Sequence, residues 1–231
     1  MDPVREAYDR LLRRFGPQHW WPAKTRFEVI VGAILMPQTA WRNVEAAIEN
    51  LRRAGLLSPA AIAAAPVGKL RRLVRVAGLY RTKPGRLKAL CSYLVRASAG
   101  DLDRWLDTRD TAEARRELLA LEGIGPETAD SVLLYAAGRP VFVVDAYTRR
   151  IGRRLGWFAT DDYAEVQRYF EDRLPRDAPL LNEYHALLVR HAKELCRPRP
   201  LCPRCPLNGM CSYYRATTPS AASASGRRDA D

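Results

Sequence analysis

The segment Leu119-Ala120-Leu121-Glu122-Gly123-Ile124-Gly125-Pro126-Glu127-Thr128-Ala129-Asp130 constrains this chain more than any other. It joins two apolar helical stripes and therefore reads as helix, tight turn, helix. Gly123 and Gly125 permit positive φ and a close backbone approach. Ile124 tucks inward as a small apolar anchor, and Pro126 suits the first turn of the following helix. Unpaired N–H groups at that helix start, beside the two glycines, make a nest that can hold a phosphate oxygen. An ordinary αα turn with a glycine cap would use the same glycines. Leu-x-Gly-Ile-Gly between two helices, with Thr128 and Ala129 behind it, is much more specific than a lone Gly-x-Gly.

The rest of the chain agrees with a helical scaffold. Phe27 to Met36 is apolar on most faces and reads as a buried helix, although its β-branched residues would also suit a strand. The next segment decides for helix, because Val44, Ala47, Ile48 and Leu51 recur at 3.6 spacing. Further stripes run over 60–64, 70–76, 87–95, 113–121, 127–137, 144–155, 164–174 and 182–195. Short Pro- or Gly-bearing connectors separate them, with no alternating strand set and no Asn-Gly hairpin. The expectation is an all-α protein of roughly ten short helices. Residues 216–231 are Ala/Ser/Thr-rich with nothing apolar to bury, and are expected to form a disordered tail.

No apolar run approaches the ~20 residues that span a bilayer, and Met1 to Arg5 carries no apolar signal core. A cytoplasmic, nucleoid-associated protein of a bacterium or archaeon, without membrane partners, is expected. The net charge of +12 over 231 residues favours polyanionic partners, nucleic acid first. Arg-rich composition from a high-GC genome would give the same excess, so charge alone does not decide. Four of the five cysteines fall in Cys196-(x5)-Cys202-(x2)-Cys205-(x5)-Cys211. Four thiolates this close repel one another unless a metal compensates them, so four-coordinate ligation is expected, and spacing alone leaves zinc and iron–sulfur both open. Cys91, in an apolar stripe, reads as a buried free thiol.

About twenty residues beyond the hairpin, after the loop Ala137-Gly138-Arg139-Pro140-Val141-Phe142, stands Val143-Val144-Asp145-Ala146-Tyr147-Thr148-Arg149-Arg150. The pair resembles the helix-hairpin-helix, Gly/Pro-rich loop and aspartate signature of the endonuclease III superfamily of DNA glycosylases, and the likeness extends from about Phe27 to Tyr214. It implies an all-α fold of two helical lobes with a DNA-binding cleft between them. Residues 22–138 would form the helical-barrel lobe carrying the hairpin. Residues 1–21 and 139–215 would form the lobe with the cysteines, for which the resemblance favours a [4Fe–4S] cluster. The commonest family spacing has six residues in the first cysteine gap, where this chain has five. The expected partner is double-stranded DNA with a damaged base, bound by a monomer.

The resemblance also assigns roles. Asp145 would be the catalytic carboxylate. Breaking an N-glycosidic bond builds oxocarbenium-like charge on the sugar, which a fixed carboxylate stabilises while it orients or deprotonates water. Taken alone, Asp145 is simply a good N-cap, and the two roles are compatible. Where bifunctional members carry a lysine that forms a Schiff base, this chain has Glu127, and glutamate cannot form an imine. The departure implies a monofunctional glycosylase. Glu127 and its neighbours, with Trp20-Trp21-Pro22 and Gln38-Thr39-Ala40-Trp41, resemble the 3-methyladenine DNA glycosylases of endonuclease III type. There a cationic alkylated purine lies between aromatic faces, matched by Trp41 and by Trp20 or Trp21; one of the latter two reads equally as core. Gln38 matches the polar plug that fills the gap left by a flipped base, and Leu79 in Gly78-Leu79-Tyr80-Arg81-Thr82-Lys83 matches the wedge. Gly123, Ile124 and Gly125 of the hairpin, with Lys83, Arg149 and Arg150, are expected at DNA phosphates. Arg197, Arg199 and Arg204 in the cysteine loops are further candidates.

Overall fold

The computed structural model of the chain describes residues 2–218, and among them lie thirteen α-helices and no strand. Local chemistry sets many of the helix starts. Asp2, Thr25, Ser58, Asp101, Asp110, Asp145 and Asp162 each accept a backbone N–H of the first turn through the side chain, so each stands at the N-cap position. Proline in the first turn starts the helices Pro3–Phe15, Pro59–Ala64, Lys83–Ser98 and Pro126–Ser131. Most of the expected tail lies outside the described residues. Ala216 and Thr217, assigned to that tail, instead close the helix Ser212–Thr217.

The chain divides into two compact units. One comprises residues 19–143 and 176–182. Its central helix, Arg26–Leu35, buries every residue from Phe27 to Leu35. The helices Trp41–Arg53, Val67–Val74 and Lys83–Ser98 add Val44, Leu51, Leu70, Leu87 and Leu90 to the same core. Residues 19–21 and 139–143 belong to this unit. The reason is packing: Trp21 lies 5.2 Å from the ring of Tyr135, and Val141, Phe142 and Val143 are buried. Arg139 donates to the carbonyls of Leu106, Asp107 and Arg109.

The other unit comprises, among the described residues, 2–18, 144–175 and 183–218. The first helix, Pro3–Phe15, returns to this unit through Val4, whose carbonyl accepts the buried hydroxyl of Tyr184 at 2.8 Å. Arg10 donates to the carbonyl of Pro206. Among the described residues no helix is long and apolar enough to cross a membrane.

Candidate active site and DNA interface

The hairpin forms as the sequence implies. The helix Thr111–Leu119 ends, Gly123 turns at φ 78°, and Pro126–Ser131 begins with Gly125 at its N-cap, where no side-chain cap is present. Ile124 is buried while Gly123 and Gly125 are exposed, so the apolar side chain anchors the turn and leaves its amides outside. A Cβ on Gly123 would run into the Arg86 side chain. The second arm is held by a bidentate ion pair: Arg115 donates to fully buried Asp130 at 2.6 and 3.0 Å. It then widens into a single π-helical stretch, Val132–Ala136. Glu127 is exposed in the first turn.

In the same unit Gln38 and Leu79 are both exposed and both held at positive φ, 58° and 43°. Such backbone is uncommon for residues other than glycine, asparagine and aspartate. Lys83 departs from its expected role. Its ammonium is buried and donates to three carbonyls, Leu35 and Pro37 at 2.7 Å and Ala77 at 2.8 Å. All three of its protons are spent inside the protein, so none is left for a phosphate. Burial also lowers its pKa to about 8.

Trp20, Trp21 and Trp41 meet in one cluster, with ring centroids 4.9, 5.2 and 5.5 Å apart. Trp21, half-buried like the other two, packs against the backbone of Gly32, where any Cβ would strike its ring, and against Tyr135. Its buried indole Nε1 meets no acceptor among the described residues. Trp20 and Trp41 are half-buried.

In the other unit Asp145 follows the buried Val144 and caps the helix Ala146–Leu155. One carboxylate oxygen accepts the amide of Thr148 at 2.7 Å, and the other stands 3.7 Å from Nε2 of His185. Asp145 is 9% exposed, so its carboxylate is fixed in direction and nearly dry. His185 was missed from sequence. It lies on the buried face of Ala178–Glu194 with Leu181, Tyr184 and Leu188, where a histidine gives no local signal. Burial depresses its pKa below the ordinary 6.5, opposed by the Asp145 charge. Arg149, on the same helix as Asp145, sits half-buried with its guanidinium 5.8 Å from the Tyr163 ring. Arg150 is turned inward, donating to the carbonyls of Cys196 and Ala192.

Cys196, Cys202, Cys205 and Cys211 line a single pocket whose walls include Ile151, Leu155 and Leu207. Among the described residues no three Cys, His, Asp or Glu side chains are gathered as around a bound metal ion. The sulfurs nevertheless have the surroundings of ligand thiolates. Arg154 donates to Sγ of Cys196 at 3.2 Å, and the amide of Leu207 to Sγ of Cys205 at 3.4 Å. Burial pushes the Cys205 thiol up to about 11, with the neighbouring cysteines adding to the shift, so a bound cation is what would make these groups thiolates. The donor set fits a thiolate-ligated group. Arg154 also donates to the carbonyls of Arg197 and Pro198. Arg197, Arg199 and Arg204 are exposed, and Cys91 is a buried thiol pushed up to about 12.

Known proteins resemble the chain in sequence and fold. Residues 31–176 match the family model described as HhH-GPD superfamily base excision DNA repair protein. A Methanocaldococcus jannaschii protein assigned as a DNA repair glycosylase is 44% identical over 209 residues, covering 90% of this chain and 95% of that protein. A trapped covalent intermediate of endonuclease III with DNA aligns with TM-score 0.78 and 26% identity, covering 92% of this chain and 96% of that one. The Helicobacter pylori 3-methyladenine DNA glycosylase bound to 1,N6-ethenoadenine aligns with TM-score 0.72 and 28% identity, covering 84% and 98%. The family model over residues 31–176 and the 44% identical relative, on a chain with the hairpin and the capping aspartate, show that it belongs to the HhH-GPD superfamily of base excision repair proteins, as a DNA glycosylase of the endonuclease III type.

Proposed function

We propose that the chain is a monofunctional DNA N-glycosylase that hydrolyses the bond to a flipped alkylated purine, such as 3-methyladenine, and leaves an abasic site. The observation that carries the reading is Glu127, exposed in the first turn after the hairpin at the position of the family's imine-forming lysine. A carboxylate there supplies no nucleophilic amine. Lys83, in the same unit, has its nitrogen committed to three carbonyls. Water is then the nucleophile. Asp145, with one oxygen anchored on Thr148, directs its remaining lone pairs at the sugar cation and the incoming water. An alkylated purine asks less of the enzyme, because its positive charge already weakens the glycosidic bond. The same charge favours the faces of Trp20 and Trp41 by about 1–2 kcal/mol when desolvated. The likeness to an enzyme bound to 1,N6-ethenoadenine supports a purine substrate.

Cys196, Cys202, Cys205 and Cys211 would hold a [4Fe–4S] cluster, whose bonds to sulfur would order the loops between 196 and 211. Bound iron with an absorbance shoulder near ~400 nm separates this from zinc.

A panel of lesion duplexes tests the substrate. Release of 3-methyladenine without activity on thymine glycol or mismatches is expected. The endonuclease III likeness favours one rival, an endonuclease III-like glycosylase for oxidised pyrimidines or mismatched bases, which the opposite pattern would support. Activity on no lesion at all would make the chain a DNA-structure binder. Trapping of a protein–DNA adduct by borohydride would refute the monofunctional mechanism.

A further inference from the structure

Three segments meet at one buried nitrogen. The helix Arg26–Leu35 ends and its chain continues through Pro37 to Gln38; the turn Arg75–Ala77 continues through Gly78 to Leu79; and Lys83 opens the helix Lys83–Ser98. The Lys83 ammonium takes the carbonyls of Leu35 and Pro37 from the first and of Ala77 from the second. Pro37 immediately precedes Gln38, and Ala77 lies two residues before Leu79. Each of these exposed residues stands at positive φ. Left-handed backbone at a residue with a Cβ is costly and persists only where the surroundings over-determine it. The turn is also held from its other side, since the carbonyl of Leu79 accepts the amides of Thr82 and Lys83 at 3.1 and 3.0 Å.

We propose that Lys83 is a positioning residue for base extrusion: its ammonium clamps the Gln38 and Leu79 tips into one rigid unit that enters the opened duplex. The proposal rests on the reading of Gln38 and Leu79 as duplex-entering residues. Extruding a nucleotide costs a few kcal/mol in lost stacking and pairing, and an apolar wedge offsets that cost only if it does not fold back under load. A salt bridge would leave one tip free. A three-donor cation joins both, because ammonium geometry places its protons on separate carbonyls. Burying that charge is expensive without such partners, which suits a residue kept for geometry.

The test compares binding of a duplex carrying a tetrahydrofuran abasic analogue opposite 2-aminopurine with binding of the same analogue strand alone. Lys83→Met keeps the stem and removes the donors. The expected result is duplex binding weakened about tenfold relative to single strand, with most of the 2-aminopurine fluorescence rise lost, a tenfold change being ~1.4 kcal/mol of the extrusion cost. Equal weakening on both substrates, or none on either, would overturn the clamp. If Lys83→Met does not fold, Lys83→Gln carries the same test; its amide has two donors, so a smaller shift in the same ratio is expected, and no shift refutes the proposal. Gln38→Ala with Leu79→Ala is the control for the underlying reading. If that pair leaves the ratio unchanged, the duplex-entering assignment fails; if the pair shifts it and Lys83→Met does not, the clamp alone fails.

Discussion

The two units meet their tasks with opposite materials. In the unit of residues 19–143 the features proposed to meet DNA are set by backbone conformation: Gly123, Gln38 and Leu79 are exposed and sit at positive φ. Their side-chain support is hidden, in Ile124, Asp130 and Lys83. In the other unit the chemistry proposed above falls to buried or half-buried side chains, Asp145 and the four cysteines, with His185 beside Asp145, while the backbone around them is ordinary helix and turn. Backbone tips need rigidity, which their hidden supports supply. Buried functional side chains need partners and tolerate almost no substitution. Substitutions in the second group should therefore cost more.

The largest effect is expected at the cysteines. Cys205→Ser would remove one of the four ligands of the proposed cluster and should release its iron, since metal binding in such segments is folding energy. Iron content per chain and proteolysis within 196–211 report it; full iron retention would break the contrast at once. Next comes Asp145→Asn, which keeps the N-cap acceptor for Thr148 but removes the charge proposed to face the sugar cation. Single-turnover excision should fall by about 10³-fold, with duplex affinity close to wild type. Unchanged lesion processing would remove Asp145 from catalysis.

On the backbone side, Gly123→Ala forces a Cβ into φ 78° and against Arg86. A stability loss of about 1–2 kcal/mol is expected from the conformation alone, with duplex affinity reduced and excision from bound duplex nearly preserved. Thermal unfolding and a Kd measurement separate these. A collapse of excision within the bound complex would mean that the hairpin does more than grip a phosphate.

What the sequence made legible follows the same division. Glycines, proline and cysteine spacing announce themselves, because each is a residue type chosen for one physical property. The hairpin and the capped aspartate were readable for that reason. Gln38 and Leu79 were readable as motif members, but their positive φ was not, since neither is glycine. Lys83 was misread as a surface cation: a lysine next to exposed Arg81 and Thr82 gives no local sign of burial, and the carbonyls that bury it come from residues 35, 37 and 77. The helix Leu102–Thr108 escaped notice because its seven residues carry too short a stripe, burying only Trp105 and Leu106. The helix Pro3–Phe15 is legible as an N-terminal helix that returns to the cysteine-bearing unit, although its buried face, Val4, Ala7, Tyr8 and Leu11, is diluted by charged residues at most other positions.

The smallest effect concerns His185, and it sharpens the buried side of the comparison. Its imidazole is enclosed and its pKa lies below the ordinary 6.5, because burial disfavours the cation more than the Asp145 charge favours it. The unfolded chain therefore binds this proton more readily than the folded one. Stability is then flat above about pH 6.5 and falls as the pH drops below it, with a slope of at most about 1.4 kcal/mol per pH unit from this one group. His185→Gln should flatten that part of the stability–pH profile while wild type retains the slope. The same variant separates two roles near Asp145. If the imidazole only fills space, excision by the variant keeps the wild-type pH profile below neutrality. If it helps hold the carboxylate oxygen that faces it at 3.7 Å, the acid limb of the excision profile shifts along with stability. A variant with both profiles unchanged would show that this buried histidine is energetically silent, and that Asp145 takes its direction from Thr148 alone.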